Sequence, residues 1–182
     1  MSTIGITRRK LSVGVQTLSA FGALIAAVLL PQIFHVLGAA AGLGTALGEI
    51  FLPMHLPIIL VGLLISPLAG TLAGALAPLV SFALTGMPSA LMLPFMMIEL
   101  AAYGLFAGLL RGAKLPTVAK VVLVQLAGRA VRAVAILFAV YALGRGVAIA
   151  TIWTSIAKGL FGLILQWALL PLIVYRIDHA KR

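Results

Sequence analysis

The chain has no cysteine and only three acidic residues in 182. The first absence excludes disulfides, thiol catalysis and cysteine-based metal sites. The second excludes an ordinary water-facing surface. A soluble domain carries roughly a quarter charged residues, whereas here 9% are charged and 63% are apolar. The mean hydropathy of +1.25 points the same way. The solvent for most of the chain is therefore lipid, where backbone groups must be paired within helices or a closed barrel. A barrel would alternate apolar and polar residues in segments of about 10. The apolar runs here are continuous and longer, which predicts helices.

Enzyme signatures are missing too. There is no H-E-x-x-H, no G-x-S-x-G and no pair of acids at catalytic spacing. Ser66, Ser81 and Ser155 have no base near them in sequence. No G-x-x-x-x-G-K-[ST] loop is present, so ATP hydrolysis would have to come from another chain. The sequence implies no cofactor.

What the chain does have is basic charge, 13 Lys and Arg for a net +10. No solvated basic face exists for nucleic acid to use. The basic residues instead flank apolar runs, as topology signals and headgroup contacts do. A span needs about 20 apolar residues, and six fit: 11–34, 55–66, 68–84, 90–110, 117–143 and 152–175. The run from Leu11 to Leu30 is too long for a cleaved signal and reads as a retained first span. A Gly/Ala connection from Gly38 to Gly48 follows it, and a polar tail follows the sixth helix. Arg8, Arg9, Lys10, Arg111, Lys114, Lys120, Arg176, Lys181 and Arg182 fall on one side, with Arg145 on the other and Lys158 ambiguous. The expected fold is a single-domain, all-α integral membrane protein. It is a six-transmembrane-helix bundle with N- and C-termini cytoplasmic.

Charges inside a span cost about 2.5–3.5 kcal/mol on insertion scales and are functional candidates by default. Three lie deep within a span, away from its ends: Glu99 on the fourth helix, and Arg129 and Arg132 on the fifth. Arg129 and Arg132 share a face at i, i+3. At 1.5 Å per residue, Glu99 lies about 12 Å and Arg132 about 16 Å below the outer helix ends, deep enough and close enough in level to pair. Such a pair either locks two helices or floors an outward-facing pocket. A second cluster, His35, Glu49, Met54 and His55, gathers at the outer side. Its spacing matches no local metal-ligand motif, and the expected metal assignment is none. Met92, Met96, Met97 and Tyr103 suit an adaptable apolar pocket or ordinary core packing. Ala23/Ala27, Gly70/Gly74 and Gly104/Gly108 each put two small residues on one helix face, for packing inside the bundle or against a partner.

Several stretches together resemble one family: Phe51-Leu-Pro-Met-His-Leu-Pro-Ile58, Gly62, Gly70, Pro78-Leu-Val-Ser81, Leu84-Thr-Gly-Met-Pro88, Glu99-Leu-Ala-Ala-Tyr-Gly104 and Gly108-Leu-Leu110. They are similar to the S-components of energy-coupling-factor (ECF) vitamin transporters, which are substrate-binding membrane subunits. The resemblance covers about residues 30 to 112, and the six-helix plan extends it to the whole chain. It implies capture of a vitamin from outside, under a lid made by the first outer loop. It also implies docking through Ala23 and Ala27 onto a transmembrane coupling subunit powered by two cytoplasmic ATPase subunits. The S-component itself is thought to topple in the membrane to release its cargo. Met54-His55 and Gly86-Met87-Pro88 would border the pocket.

The pattern looks closest to members assigned to cobalamin or its precursors. Pantothenate-type relatives share the Met-His-x-Pro element, and the same role for pantothenate or another vitamin remains the alternative, as does a non-transporting membrane assembly protein. Metal-ion members carry an N-terminal Met-His, and residue 2 here is Ser. The candidate ligand-binding residues are His35, Glu49, Met54, His55, Met87, Glu99, Tyr103 and Arg132. The implied location is a bacterial plasma membrane. A lone ion-driven carrier with Glu99 as its proton site is a further reading, disfavoured by the lack of an inverted repeat.

Overall fold

The computed structural model describes residues 11–180. Among them there are seven α-helices, one 3-10 turn and no strand. The helices are α1 (Val13–Ala40), α2 (Ala46–Phe51), α3 (His55–Leu64), α4 (Pro67–Thr85), α5 (Leu93–Leu109), α6 (Thr117–Tyr141) and α7 (Thr151–Ala180), with the 3-10 turn Leu110–Gly112 closing α5. Six segments are long and apolar enough to cross a membrane, α2 and α3 together forming the second. Arg8, Arg9, Lys10, Lys181 and Arg182, which enter the topology argument, lie outside the described residues.

The helix boundaries have local causes. Ser12 accepts a bond from the Val15 amide at the start of α1, and Ser66 does the same for Ala69 at the start of α4. Pro67 and Pro94 occupy first-turn positions, where a missing N–H costs nothing. Gly86 ends α4 in the left-handed conformation.

Two expectations are corrected here. The stretch from Gly38 to Gly48 is not one long Gly/Ala connection. Helix α1 continues through it to Ala40, past the expected end at residue 34, and after a short turn the chain re-enters helix as α2. Alanine-rich sequence favours helix, and the break comes only at Gly42 and Gly44, both at positive φ. The polar tail after residue 175 is also helical, to Ala180.

Helix α5 is central, packing against α3, α4 and α6; α1 covers α3 and α4, and α7 covers α6 and α2. The small residues explain the closeness of the middle crossing. A Cβ placed on Gly70 would stand 2.6 Å from the carbonyl oxygen of Gly104, and one on Gly62 would meet the same oxygen at 2.6 Å. Helices α3, α4 and α5 therefore touch backbone to backbone, and the Gly70/Gly74 and Gly104/Gly108 pairs serve packing within the bundle.

The same holds for α1. Ala27 is fully buried and Ala23 is half-buried against the core, so this pair of small residues lets α1 approach the bundle closely. The outward stripe of α1 consists instead of large apolar residues such as Leu18, 73% exposed, and Ile25. Similar residues cover the remaining helices, for example Val134 at 66%. An apolar surface this extensive belongs in lipid.

Candidate binding cavity

One end of the bundle contains a cavity of about 450 Å³. The end of α1, α2, the start of α3, the end of α4, the α4–α5 turn, the first half of α5, the second half of α6 and the start of α7 all contribute to it. The volume is that of a small-molecule site.

The deep part of the cavity is polar. The Arg132 guanidinium donates to Oε2 of Glu99 at 3.0 Å, and Tyr103 donates its hydroxyl to Oε1 at 2.8 Å. The Glu99 side chain is 3% exposed and that of Arg132 13%. Tyr103 fits because α6 carries Gly128 opposite it, where any Cβ would fall on the phenol ring. The imidazole of His55 lies 5.1 Å from the Tyr103 ring, centroid to centroid, and is itself buried. The two readings of Glu99 and Arg132 thus coincide: the pair joins α5 to α6, and both residues line the cavity. A buried ion pair is weak support for stability on its own, so its position beside a cavity is the informative observation.

The wall is softer. Met54, Met87, Met92 and Met96 line it, with the Met87–Pro88 turn, whose peptide bond is cis. Thioether side chains adapt to irregular shapes. At the rim Glu49 on α2 accepts from Lys158 on α7 at 2.8 Å. Both side chains are well exposed.

Helix α2 is seated on α7 through Gly162. A Cβ there would stand 2.6 Å from the carbonyl oxygen of Phe51. The Phe51 ring packs between Phe34 and Phe161, at 5.1 and 5.2 Å. Beneath α2 the chain turns through Leu52 at φ 49°. The carbonyl of Leu52 accepts from Gln166 Nε2 at 3.2 Å. Gln166 in turn accepts from Gln125, and Gln125 accepts from the Trp167 indole. This chain of amides ties α6 and α7 to the turn below α2.

Of the eight candidate ligand-binding residues, seven line the cavity: His35, Glu49, Met54, His55, Met87, Glu99 and Arg132. Tyr103 does not. It is completely buried behind Glu99, and its role is to hold that carboxylate. Met97 is not among the lining residues either. The structure adds Arg129, Ser81, Thr45 and a polar group on α7, namely Thr151, Thr154, Ser155 and Lys158. The α7 residues have a sequence signal: they recur at i, i+3, i+4 and i+7, one polar stripe on an otherwise apolar span. Among the described residues no three His, Cys, Asp or Glu side chains come together as a metal would require.

At the other end of the bundle, Arg111 donates to the carbonyl of Ile65 at the end of α3, and Lys120 donates to the Arg111 carbonyl. These cations satisfy helix-terminal carbonyls. Comparison of the chain with protein-family models, curated proteins and solved structures gives no match. What the residues establish is a multi-pass, all-helical membrane protein with a polar-floored cavity at one end.

Proposed function

We propose that the protein is the substrate-capturing membrane subunit of an ECF-type importer, and that the cavity takes a vitamin from outside the cell. The observation that carries this reading is the cavity itself. A charged, hydrogen-bonded floor is held at membrane depth beneath methionines and a small helical cover, among the residues that carry the family resemblance. Charges at that depth are costly to maintain and mark a ligand path by default. Several polar atoms there also lack partners: His55 Nδ1 and the Nε atoms of Arg129 and Arg132. An assembly protein that used its helices only for packing gains nothing from such groups.

On this reading the cavity end faces outward and both termini face the cytoplasm of a bacterial cell. Release of cargo relies on a transmembrane coupling subunit and two ATPase subunits. Docking onto that coupling subunit through Ala23 and Ala27 is what the resemblance implies; Ala23 is half-buried and Ala27 is buried against the core. Cobalamin or a precursor is the ligand the resemblance favours, with pantothenate as the alternative. The size of the cavity favours a precursor fragment or a small vitamin, since a complete corrinoid with its nucleotide tail exceeds about 450 Å³ and would project beyond it.

The test is mass spectrometry of small molecules released from the purified protein, followed by titration with labelled cobalamin and labelled pantothenate. Saturable binding below micromolar supports capture. A protein that co-purifies with nothing and binds neither, nor any other vitamin, is not a receptor of this kind. Transport should also require the coupling subunit and ATPases, and full uptake by this chain alone would reject the subunit assignment.

A further inference from the structure

The charges around the cavity do not cancel. Glu49 is paired with Lys158 at the rim, and Glu99 with Arg132 at the floor. Both oxygens of Glu99 are engaged, one by Arg132 and one by Tyr103. Arg129 also lines the cavity, one turn before Arg132 on α6, and among the described residues no acid pairs with it. Its Nε is buried and without a hydrogen-bond partner. Asp178, the remaining acid of the chain, is near the far end of α7, on the other side of the bundle from the cavity. A guanidinium cannot shed its proton at accessible pH, so the cavity carries one uncompensated positive charge.

We propose that this charge is the recognition element for the cargo. The cavity takes a small molecule bearing one carboxylate or phosphate, and Arg129 receives that group. A planar guanidinium offers two parallel N–H donors matched to either oxyanion. The low-dielectric setting makes an unpaired guanidinium costly and its pairing with an anion correspondingly selective. The Glu99–Arg132–Tyr103 arrangement keeps the only deep carboxylate occupied, which prevents Arg129 from being neutralised from within. Neutral and cationic vitamins leave Arg129 unpaired and are discriminated against on that account.

This inference rests on the vitamin-capture reading, and the experiment separates the two. Purified protein is titrated with matched acid and neutral pairs: pantothenate and panthenol, nicotinate and nicotinamide, riboflavin 5′-phosphate and riboflavin. Thiamine serves as a cationic control. The expected result is saturable binding of one acid, with its neutral partner weaker by about tenfold to a hundredfold, the worth of a charge-assisted hydrogen bond. Whether that acid is a carboxylate or a phosphate identifies the group. Arg129→Gln should abolish the preference and Arg129→Lys should retain part of it. If Arg129→Gln does not fold, the acid–neutral comparison in the unaltered protein decides alone. Equal binding of acid and neutral partner, a preference that survives Arg129→Gln, or binding of thiamine alone overturns the assignment of charge and leaves capture standing. If no compound binds, the small molecule released from the purified protein decides: an acid supports the assignment of charge, a neutral or cationic molecule overturns it, and none at all rejects capture and this inference with it.

Discussion

Glu99 on α5 and Arg132 on α6 meet at 3.0 Å on the floor of a cavity, with the carboxylate buried and its second oxygen taken by Tyr103. Removing one partner leaves the other charged and buried. Glu99→Gln is expected to destabilise the protein by about 3–5 kcal/mol, and Arg132→Gln by a similar amount. The double variant should lose clearly less than the two losses added together, because it strands no charge. Unfolding in a defined detergent, monitored by circular dichroism, gives all three values. Simple additivity would mean that the pair is not coupled in solution.

Tyr103 and Gly128 form a second coupled pair. Tyr103→Phe keeps the ring and removes only the hydroxyl, for an expected loss of about 1–2 kcal/mol. Gly128→Val places side-chain atoms where the ring lies, and overpacking of this kind costs about 1–3 kcal/mol. It should also weaken ligand binding, by displacing the group that orients Glu99. A Gly128→Val protein that melts and binds like its parent would contradict the tight contact.

Ala27→Trp is expected to lower folded yield and ligand binding together, because the site is completely buried against the core. Comparing both readouts with those of Leu18→Trp, on the exposed stripe of α1, isolates the effect of burial. Loss of coupling-subunit association with intact folding and binding would instead show Ala27 to be reachable by a partner.

Lys158→Ala at the rim should change stability by less than about 1 kcal/mol, since both members of its pair with Glu49 are exposed. Gln166→Leu should cost more, about 1–3 kcal/mol, because it leaves the buried Gln125 amide nitrogen without an acceptor and takes one of two donors, the other being the His55 amide, from the Leu52 carbonyl. Thermal melts of the two variants side by side check the order. A larger loss for Lys158→Ala would mean the rim pair is far better shielded than its exposure indicates.

Much of this arrangement is legible in the sequence because lipid imposes simple rules. Continuous apolar runs marked six spans, and Glu99 stood out against them because a charge within a span is rare. Its pairing with Arg132 followed from matching depths. The fate of Arg129 was not legible. Two arginines three residues apart compete for one carboxylate, and only side-chain geometry shows which is left over. Ala23 and Ala27 illustrate the same ambiguity, since small residues suit a close approach of any helix, and the sequence does not say whose. The amide chain from Gln125 through Gln166 to Leu52 was invisible for another reason. It joins residues more than a hundred positions apart, and glutamines in a span carry no charge to draw notice.

The glycine contacts joining α3, α4 and α5 have a consequence for how the cavity could change shape. Where main chains abut, no side chain intervenes to absorb a shift, so that side of the molecule behaves as a fixed jig. Any adjustment of the cavity must fall on the thioethers of Met87, Met92 and Met96 and on the α2 cover. Variation that retunes selectivity should accumulate there, while substitutions along the glycine seam are simply lost.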